Sequence, residues 1–187
     1  MEKVKNNAIK KVTKRFSDFS KEEEWLQSML SEGWILKSYD SEDVDDCQYI
    51  FEHAQSENLQ NIFYKIDFQN FNKKEEFEEY KEIFQDSGWT ILSKSKWYSK
   101  HIFYRTSTNA QVDIFSDQES YREREKRKMT SLLLYTGLAF IGFIIFIFLW
   151  IIFEYAYFGV SGLFLLYVSI KYSIDYFSHR KALKSIF

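Results

Sequence analysis

The sequence predicts an α+β domain followed by a two-helix membrane hairpin, and three observations lead to this prediction. Residues 129–153 form an apolar run with no charged side chain and no proline. A second apolar run, 155–170, follows after a single glutamate. In the residues before 129, strand-like and helix-like patterns alternate, and one combination of them occurs twice.

The repeated unit has a capped helix near its beginning. Residues 16–25 (FSDFSKEEEW) parallel residues 68–77 (FQNFNKKEEF). In each, a small polar residue is followed three positions later by a glutamate, which is the spacing of a helix N-cap with an acidic third residue. The two pairs are Ser20 with Glu23 and Asn72 with Glu75. We expect the glutamates of both first turns, Glu22 among them, to lie on outer faces and to favour the positive end of the helix dipole.

A Gly-Trp pair ends each predicted helix. Gly33-Trp34 and Gly88-Trp89 follow the two amphipathic segments. Glycine adopts the left-handed conformation that commonly ends a helix, and the residue after it can contact the last turn. A ligand-stacking role for either tryptophan is the alternative.

Short strand-like segments make up the remainder of each half. They are predicted at 11–16, 34–39 and 49–51 in the first half and at 62–68, 89–92 and 101–105 in the second. The unit is therefore β-α-β-β, present twice. Two such units can share one antiparallel sheet with both helices on one face, and we expect that arrangement.

The duplicated domain leads into the membrane through a helix. A last strand is predicted at 112–115, and Ser116 with Glu119 has the spacing of a third helix cap. The helix that begins there meets no break before the apolar run. We divide the chain into a duplicated domain at 1–116, a juxtamembrane helix at 117–128, a transmembrane hairpin at 129–177 and a basic tail at 178–187.

The charges around the apolar runs predict an orientation. A helix of about 20 apolar residues crosses a bilayer, and the first run is longer than that. Basic residues flank the hairpin at 122–128 and 180–184, whereas the turn between the runs carries Glu154 and no Lys or Arg. By the positive-inside rule, both termini are cytoplasmic. The alternative is that the second run, which contains Lys171 and Asp175, lies in the membrane interface.

Composition limits the classes of partner. Residues 1–128 contain 21 basic and 25 acidic residues, a net charge of −4. Nucleic-acid-binding domains normally present a basic face, so we expect no nucleic-acid partner. Cys47 is the only cysteine, which excludes an intramolecular disulfide and fits a reducing compartment. Residues 1–12 lack the apolar segment of a secretory signal, so we expect insertion to depend on the hairpin.

The sequence contains no strong catalytic, metal or cofactor signature. Cys47 and His53 share strand parity, but an extended strand would separate them by about 20 Å, so we expect a buried thiol and a surface histidine. The acidic segment 40–46 lacks the glycine and the terminal glutamate of a calcium loop, and we interpret it as a solvated hairpin tip. We therefore expect no enzymatic activity, no metal and no cofactor.

One cluster in the second half is a candidate surface for a partner or ligand. Its residues are Trp97, Tyr98, His101 and Arg105, which lie among Lys94, Lys96 and Lys100. Exposed aromatic side chains beside basic ones are effective binding anchors. Contact with a protein partner or an acidic ligand is one interpretation, and docking on the anionic inner leaflet is another. The third is that these residues complete an edge of the core.

Several of these features together resemble a known bacterial family. They are the F-x-x-F-x-K-x-E-E-aromatic helix start, the Gly-Trp helix stop, the strand 64–68 (YKIDF) and the exit segment 113–117 (DIFSD). The combination resembles the family called domain of unknown function 2812, over residues 10–128. The resemblance implies C-terminal membrane spans and a protein partner, with a transcriptional regulator as the candidate, because members are often encoded beside PadR-like regulators. It implies no catalytic residue.

We therefore expect a membrane-anchored cytoplasmic module of regulatory or sensory type in a bacterial cell membrane. The four glycines of the apolar runs suit helix packing rather than transport. The alternative is an immunity or envelope-stress protein that acts through the hairpin itself.

Overall fold

The computed structural model describes residues 8–16, 18–40, 47–54, 61–93, 96–106 and 118–185. In the first half these form β1 (Ile9–Lys14), α1 (Phe19–Ser31), β2 (Trp34–Asp40) and β3 (Cys47–His53). In the second half they form β4 (Ile62–Phe68), α2 (Lys74–Asp86), β5 (Thr90–Ile91) and β6 (Lys100–Thr106). Two long helices follow, α3 (Gln118–Phe153) and α4 (Ala156–Ser185). Residues 1–116 and 117–187 are two compact units.

The β-α-β-β unit occurs twice with the same strand order. Each half forms a three-stranded antiparallel sheet in which the last strand is central, in the orders β1-β3-β2 and β4-β6-β5. The single shared sheet expected from the sequence is therefore wrong for the described strands. The predicted strand at 112–115 and the cap residue Ser116 lie outside the described residues.

The outer edge of β4 explains why the two sheets do not join there. On that edge, the N–H of Ile66 donates to Oε1 of Glu23 at 3.0 Å. The side-chain amide of Gln27 donates to the carbonyl of Ile62, also at 3.0 Å. Both partners are on α1. Helix side chains thus take the backbone hydrogen bonds that a neighbouring strand would otherwise make, which also protects an exposed sheet edge.

Both helices begin at residues other than the predicted caps. The cap of α1 is Asp18, whose carboxylate accepts the N–H of Lys21 at 2.9 Å, in place of Ser20. The cap of α2 is Lys73, one residue after Asn72, and its N–H donates to the carboxylate of Glu76 at 3.4 Å. At α1, an ionised carboxylate takes the place of the Ser20 hydroxyl as acceptor, and an ionised acceptor makes the stronger bond.

The two Gly-Trp helix stops are confirmed. Gly33 and Gly88 have φ values of 91° and 81°, in the left-handed region that favours glycine. At the end of α2, the N–H of Gly88 donates to the carbonyl of Gln85 and that of Trp89 to the carbonyl of Phe84. These two bonds form a Schellman motif. Trp89 is buried, so it belongs to the core and is not a stacking surface.

One hydrophobic core contains residues from both halves of the first unit. It includes Leu26 and Tyr49 from the first half together with Ile66 and Ile102 from the second. α1 packs on β2 of its own sheet and on β4 of the other, whereas α2 packs on β5. The second sheet therefore has first-half residues on one face and α2 on the other, so its central strand is covered on both sides.

The second unit is an antiparallel helical hairpin. Within α3, the predicted juxtamembrane helix continues into the apolar run without a break. Glu154, in a left-handed conformation with φ 56°, reverses the chain before α4. The hairpin is closely packed, since a Cβ at Gly159 would lie 3.0 Å from the ring of Trp150.

Both helices of the hairpin are long and apolar enough to cross a membrane. In the most apolar part of α3 only 6% of the residues are buried, and in that of α4 only 17%. A core helix of a soluble protein would be mostly buried. Their outward faces are rich in Leu, Ile, Phe and Tyr, which suits contact with lipid.

Candidate functional site

The four residues of the predicted partner surface do not share one surface. Trp97 is 74% exposed, and the ammonium of Lys96 lies 4.5 Å from its ring centroid. Arg105 is partly buried, with its guanidinium next to Gly88. Tyr98 and His101 are buried. Trp97 thus remains a candidate anchor for a partner, while Tyr98 and His101 complete the core.

His101 lies on the face of β6 that α2 covers. The rings of Phe71, Phe77 and Tyr80 surround its imidazole at centroid distances of 5.4 to 5.7 Å. Nε2 lies 3.0 Å from the carbonyl oxygen of Gln69, which can only accept, so Nε2 carries the proton. Nδ1 then accepts from the hydroxyl of Ser93 at 2.8 Å.

The surroundings of His101 keep it neutral. Burial lowers the pKa of His101 to about 4, and the contacts with Gln69 and Asp67 offset only part of that effect. Both ring nitrogens are already hydrogen-bonded in the neutral form. This histidine is therefore not available as an acid or base for a solvent-exposed substrate.

A buried polar cluster on the opposite face connects the two halves. The carboxylate of Glu22 accepts from the hydroxyl of Tyr49 at 2.6 Å and from Nζ of Lys100 at 2.7 Å. Glu22 is 3% exposed, so the expectation that it lies on an outer face is wrong. Two strong partners compensate for the burial of its charge. Burial, the largest single effect, opposes the charged form of Lys100, but Glu22 and Cys47 together outweigh it and raise the pKa of Lys100.

Cys47 lies beside this cluster and is buried, as expected. Burial raises the pKa of its thiol, so the thiol stays protonated and is a weak nucleophile. His53 is exposed at the other end of β3, as also expected. No group of three or more His, Cys, Asp and Glu residues in the described ranges could hold a metal ion. The acidic segment 41–46 lies outside those ranges.

A groove that the sequence analysis did not identify lies between the end of β1 and α1. It has a volume of about 530 Å³ and is open to solvent. We call it the Lys14–Trp25 groove, and its lining residues are Lys14, Arg15, Phe16, Lys21, Glu24, Trp25 and Ser28. Three basic side chains and two aromatic rings thus meet at one surface depression. All of its lining residues lie between positions 14 and 28, and the run Lys14-Arg15-Phe16 is a visible sequence signal for part of it.

The aromatic floor of the groove is fixed by the core. The rings of Phe16 and Trp25 have centroids 5.1 Å apart, and Trp25 also contacts Tyr49 at 4.8 Å and Phe51 at 5.5 Å. The ammonium of Lys14 lies 4.9 Å from the Phe16 ring centroid and 4.8 Å from that of Trp25. Such an arrangement can receive an apolar group and an anion together.

The hairpin unit contains a buried polar contact of its own. Nδ1 of His179 on α4 lies 2.7 Å from Oε2 of Glu125 on α3. Nη2 of Arg124 donates to the other oxygen of the same carboxylate at 3.1 Å. All three side chains are buried. In the sequence, Arg124 and Glu125 are visible only as part of a charged flank.

The match to a known family covers more than half of the chain. A family model described as "Protein of unknown function (DUF2812)" matches residues 18–137, which include α1 and the beginning of the first long apolar helix. No curated protein and no solved structure matches the chain. The chain therefore belongs to the DUF2812 family.

Proposed function

We propose that this protein is a membrane-anchored cytoplasmic binding module of regulatory or sensory type, without catalytic activity. The supporting observation is the combination of a compact α+β unit with a hairpin of two membrane-length helices. The hairpin would hold the module at a bacterial cell membrane as a multi-pass anchor. Both termini would be cytoplasmic, because the basic flanks lie on one side of both spans.

The polar clusters of the first unit support a binding role over catalysis. The neutral imidazole of His101 and the protonated thiol of Cys47 are both buried. Lys100 and Glu22 are engaged with each other. Catalytic groups must reach a substrate, and these four face the core.

A protein partner fits the exposed features better than a small substrate. Trp97 is a large exposed ring beside a lysine, and such residues commonly anchor protein contacts. A transcriptional regulator is the candidate, from the resemblance alone. Nucleic acid is a poor fit, because residues 1–116 contain 16 basic and 21 acidic residues.

Photo-crosslinking from position 97 tests the binding role in cells. The full chain would carry a benzophenone amino acid in place of Trp97, and a matched variant would carry it at Ile83, which is also exposed. We expect position 97 to cross-link to a discrete protein and position 83 not to. Absence of any product at 97, or the same products at both positions, would contradict the proposal.

A hairpin exchange separates this function from an immunity or envelope-stress role. The apolar hairpin would be replaced by an unrelated two-span hairpin of the same orientation. A binding module should keep its cross-link from position 97, since the hairpin only anchors it. If the exchange abolishes the cross-link, binding depends on the hairpin itself, and the immunity or envelope-stress role is the better explanation.

A further inference from the structure

We propose that the Lys14–Trp25 groove binds an extended acidic peptide segment that carries one aromatic or long apolar side chain. This inference rests on the proposed binding role and names the chemistry of the partner. It assigns to this groove a contact separate from the one proposed at Trp97.

The charge of the groove differs from that of the unit around it. Residues 8–16 contain four basic residues and no acidic one, whereas residues 1–116 carry a net charge of −5. Among the lining residues, Lys14, Arg15 and Lys21 outnumber the single acid, Glu24, although Lys21 already forms an ion pair with Asp18 at 3.3 Å. Local positive potential in an otherwise acidic domain attracts and orients an anionic partner.

The floor of the groove provides the apolar half of the recognition. Phe16 and Trp25 present their rings beside the ammonium of Lys14. Because Trp25 also packs on Tyr49 and Phe51, its ring is already fixed before a ligand arrives. A preformed aromatic floor reduces the ordering cost of binding. An apolar side chain can lie on these rings while a neighbouring carboxylate pairs with Lys14 or Arg15.

The shape of the groove favours a peptide over a small molecule. Its volume, about 530 Å³, is typical of ligand sites, but it is open along the surface instead of enclosed. A small ligand in an open site would leave much of its surface in water. An extended peptide presents every second side chain to one surface, so one apolar group can enter the groove while acidic neighbours meet its basic rim.

Fluorescence anisotropy with a defined probe tests the inference. The probe is a short fluorescein-labelled peptide of glutamates with one central phenylalanine, titrated with the full chain in nanodiscs of neutral phosphatidylcholine. Lys14→Glu and Arg15→Glu should each weaken binding about tenfold, since each reversal removes one charge-assisted contact. A probe with alanine at its centre should bind more weakly than the phenylalanine probe. A probe with lysines in place of glutamates should not bind.

Lys11→Glu is the matched control. It makes the same charge change on the same strand, but Lys11 and Lys14 lie on opposite faces of β1 because their positions differ by an odd number. We expect it to change the affinity by less than about twofold. An equal loss from Lys11→Glu and Lys14→Glu would mean general attraction without a groove and would overturn the inference. Tryptophan fluorescence of each variant checks its fold, and Lys14→Gln replaces Lys14→Glu if the reversal unfolds the chain.

Two competitors test the other occupants of a basic groove. Inorganic phosphate that displaces the peptide at low concentration would indicate an anion site without peptide recognition. Phosphatidylglycerol vesicles that displace it would indicate a membrane contact. Either result would overturn the peptide assignment. Absence of the cross-link from position 97 would instead contradict the proposed function. Trp97 does not line the groove, so failure of the proposed function and failure of the groove assignment can be distinguished.

Discussion

At the residue scale, His101 shows how burial sets the chemistry of a polar side chain. Its imidazole lies among three aromatic rings and has a hydrogen-bond partner at each nitrogen. The proton on Nε2 is fixed by the carbonyl of Gln69. A second proton on Nδ1 would point at the hydroxyl of Ser93 and place a charge in the core. The folded protein therefore stabilises the neutral form of His101.

The pKa of His101 predicts acid sensitivity. Its folded value of about 4 lies below the ordinary value of 6.5, so the unfolded chain takes up the proton first as the pH falls. The contribution of the neutral imidazole to the free energy of unfolding is therefore complete above pH 6.5 and is lost as the pH falls towards 4. The free energy of unfolding contributed by His101 falls by about 3 kcal/mol over this range.

The change that tests this is His101→Gln, which does not titrate. Urea unfolding of the full chain at both ends of that pH window gives the free energies. We expect the variant to lose less stability on acidification than the parent protein. His53→Gln is the control, because His53 is exposed, and it should retain the parent's pH dependence. Identical pH dependence in His101→Gln and the parent would contradict this account of His101.

The helix-stop glycines give a second prediction at this scale. Gly33→Val and Gly88→Val should each lower the free energy of unfolding by more than about 1 kcal/mol, because a β-branched residue resists positive φ. At Gly33 the new Cβ would also lie 3.3 Å from the ring of His53. Gly137→Val is the control, since a Cβ there meets no atom within 4 Å. Thermal unfolding measures all three. Equal melting temperatures would show that neither glycine is needed for its turn.

At the element scale, single side chains from one half complete the hydrogen bonding of the other. β5 has only two residues, so it leaves part of β6 without a neighbouring strand. The hydroxyl of Tyr39, on β2, fills that place. It accepts the N–H of Ile102 at 3.2 Å and donates to the carbonyl of Lys100 at 2.7 Å.

Tyr39→Phe tests this connection between the sheets. The change leaves the buried N–H of Ile102 without its acceptor, and an unsatisfied buried donor costs about 1–3 kcal/mol. Tyr104→Phe removes a hydroxyl that has no hydrogen bond within the described part of the chain, so it should cost far less. Urea unfolding compares the two variants. A smaller loss for Tyr39→Phe than for Tyr104→Phe would contradict the role of Tyr39.

Local sequence patterns predicted the elements of the described residues correctly and their assembly less well. The duplicated unit, the Gly33 and Gly88 helix stops and the continuous α3 all follow from signals within a few residues. The separation into two sheets depends on side chains of α1 that bond to the edge of β4. The position of the partly buried Lys100 ammonium depends on Glu22, which is 78 positions away. A periodic pattern shows which residues share a face, but not what covers that face.

At the scale of the whole molecule, the hairpin determines where the α+β unit lies in the cell. α3 and α4 have the length and the outward apolar surface of membrane spans, and they are joined by a turn of two residues. If both cross the bilayer, the α+β unit and the C-terminus lie on the same side. The basic flanks predict that this side is the cytoplasm. Every binding role proposed for Trp97 and for the Lys14–Trp25 groove requires that location.

Thiol labelling in intact cells tests this central claim most directly. In a Cys47→Ser background, single cysteines would be placed by Tyr157→Cys, beside the turn, and by Ser185→Cys, at the end of α4. The account predicts that a membrane-impermeant maleimide labels the cysteine at position 157 in intact cells and labels that at position 185 only after lysis. Labelling of position 185 alone in intact cells, or of neither position even after lysis exposes both faces, would contradict it.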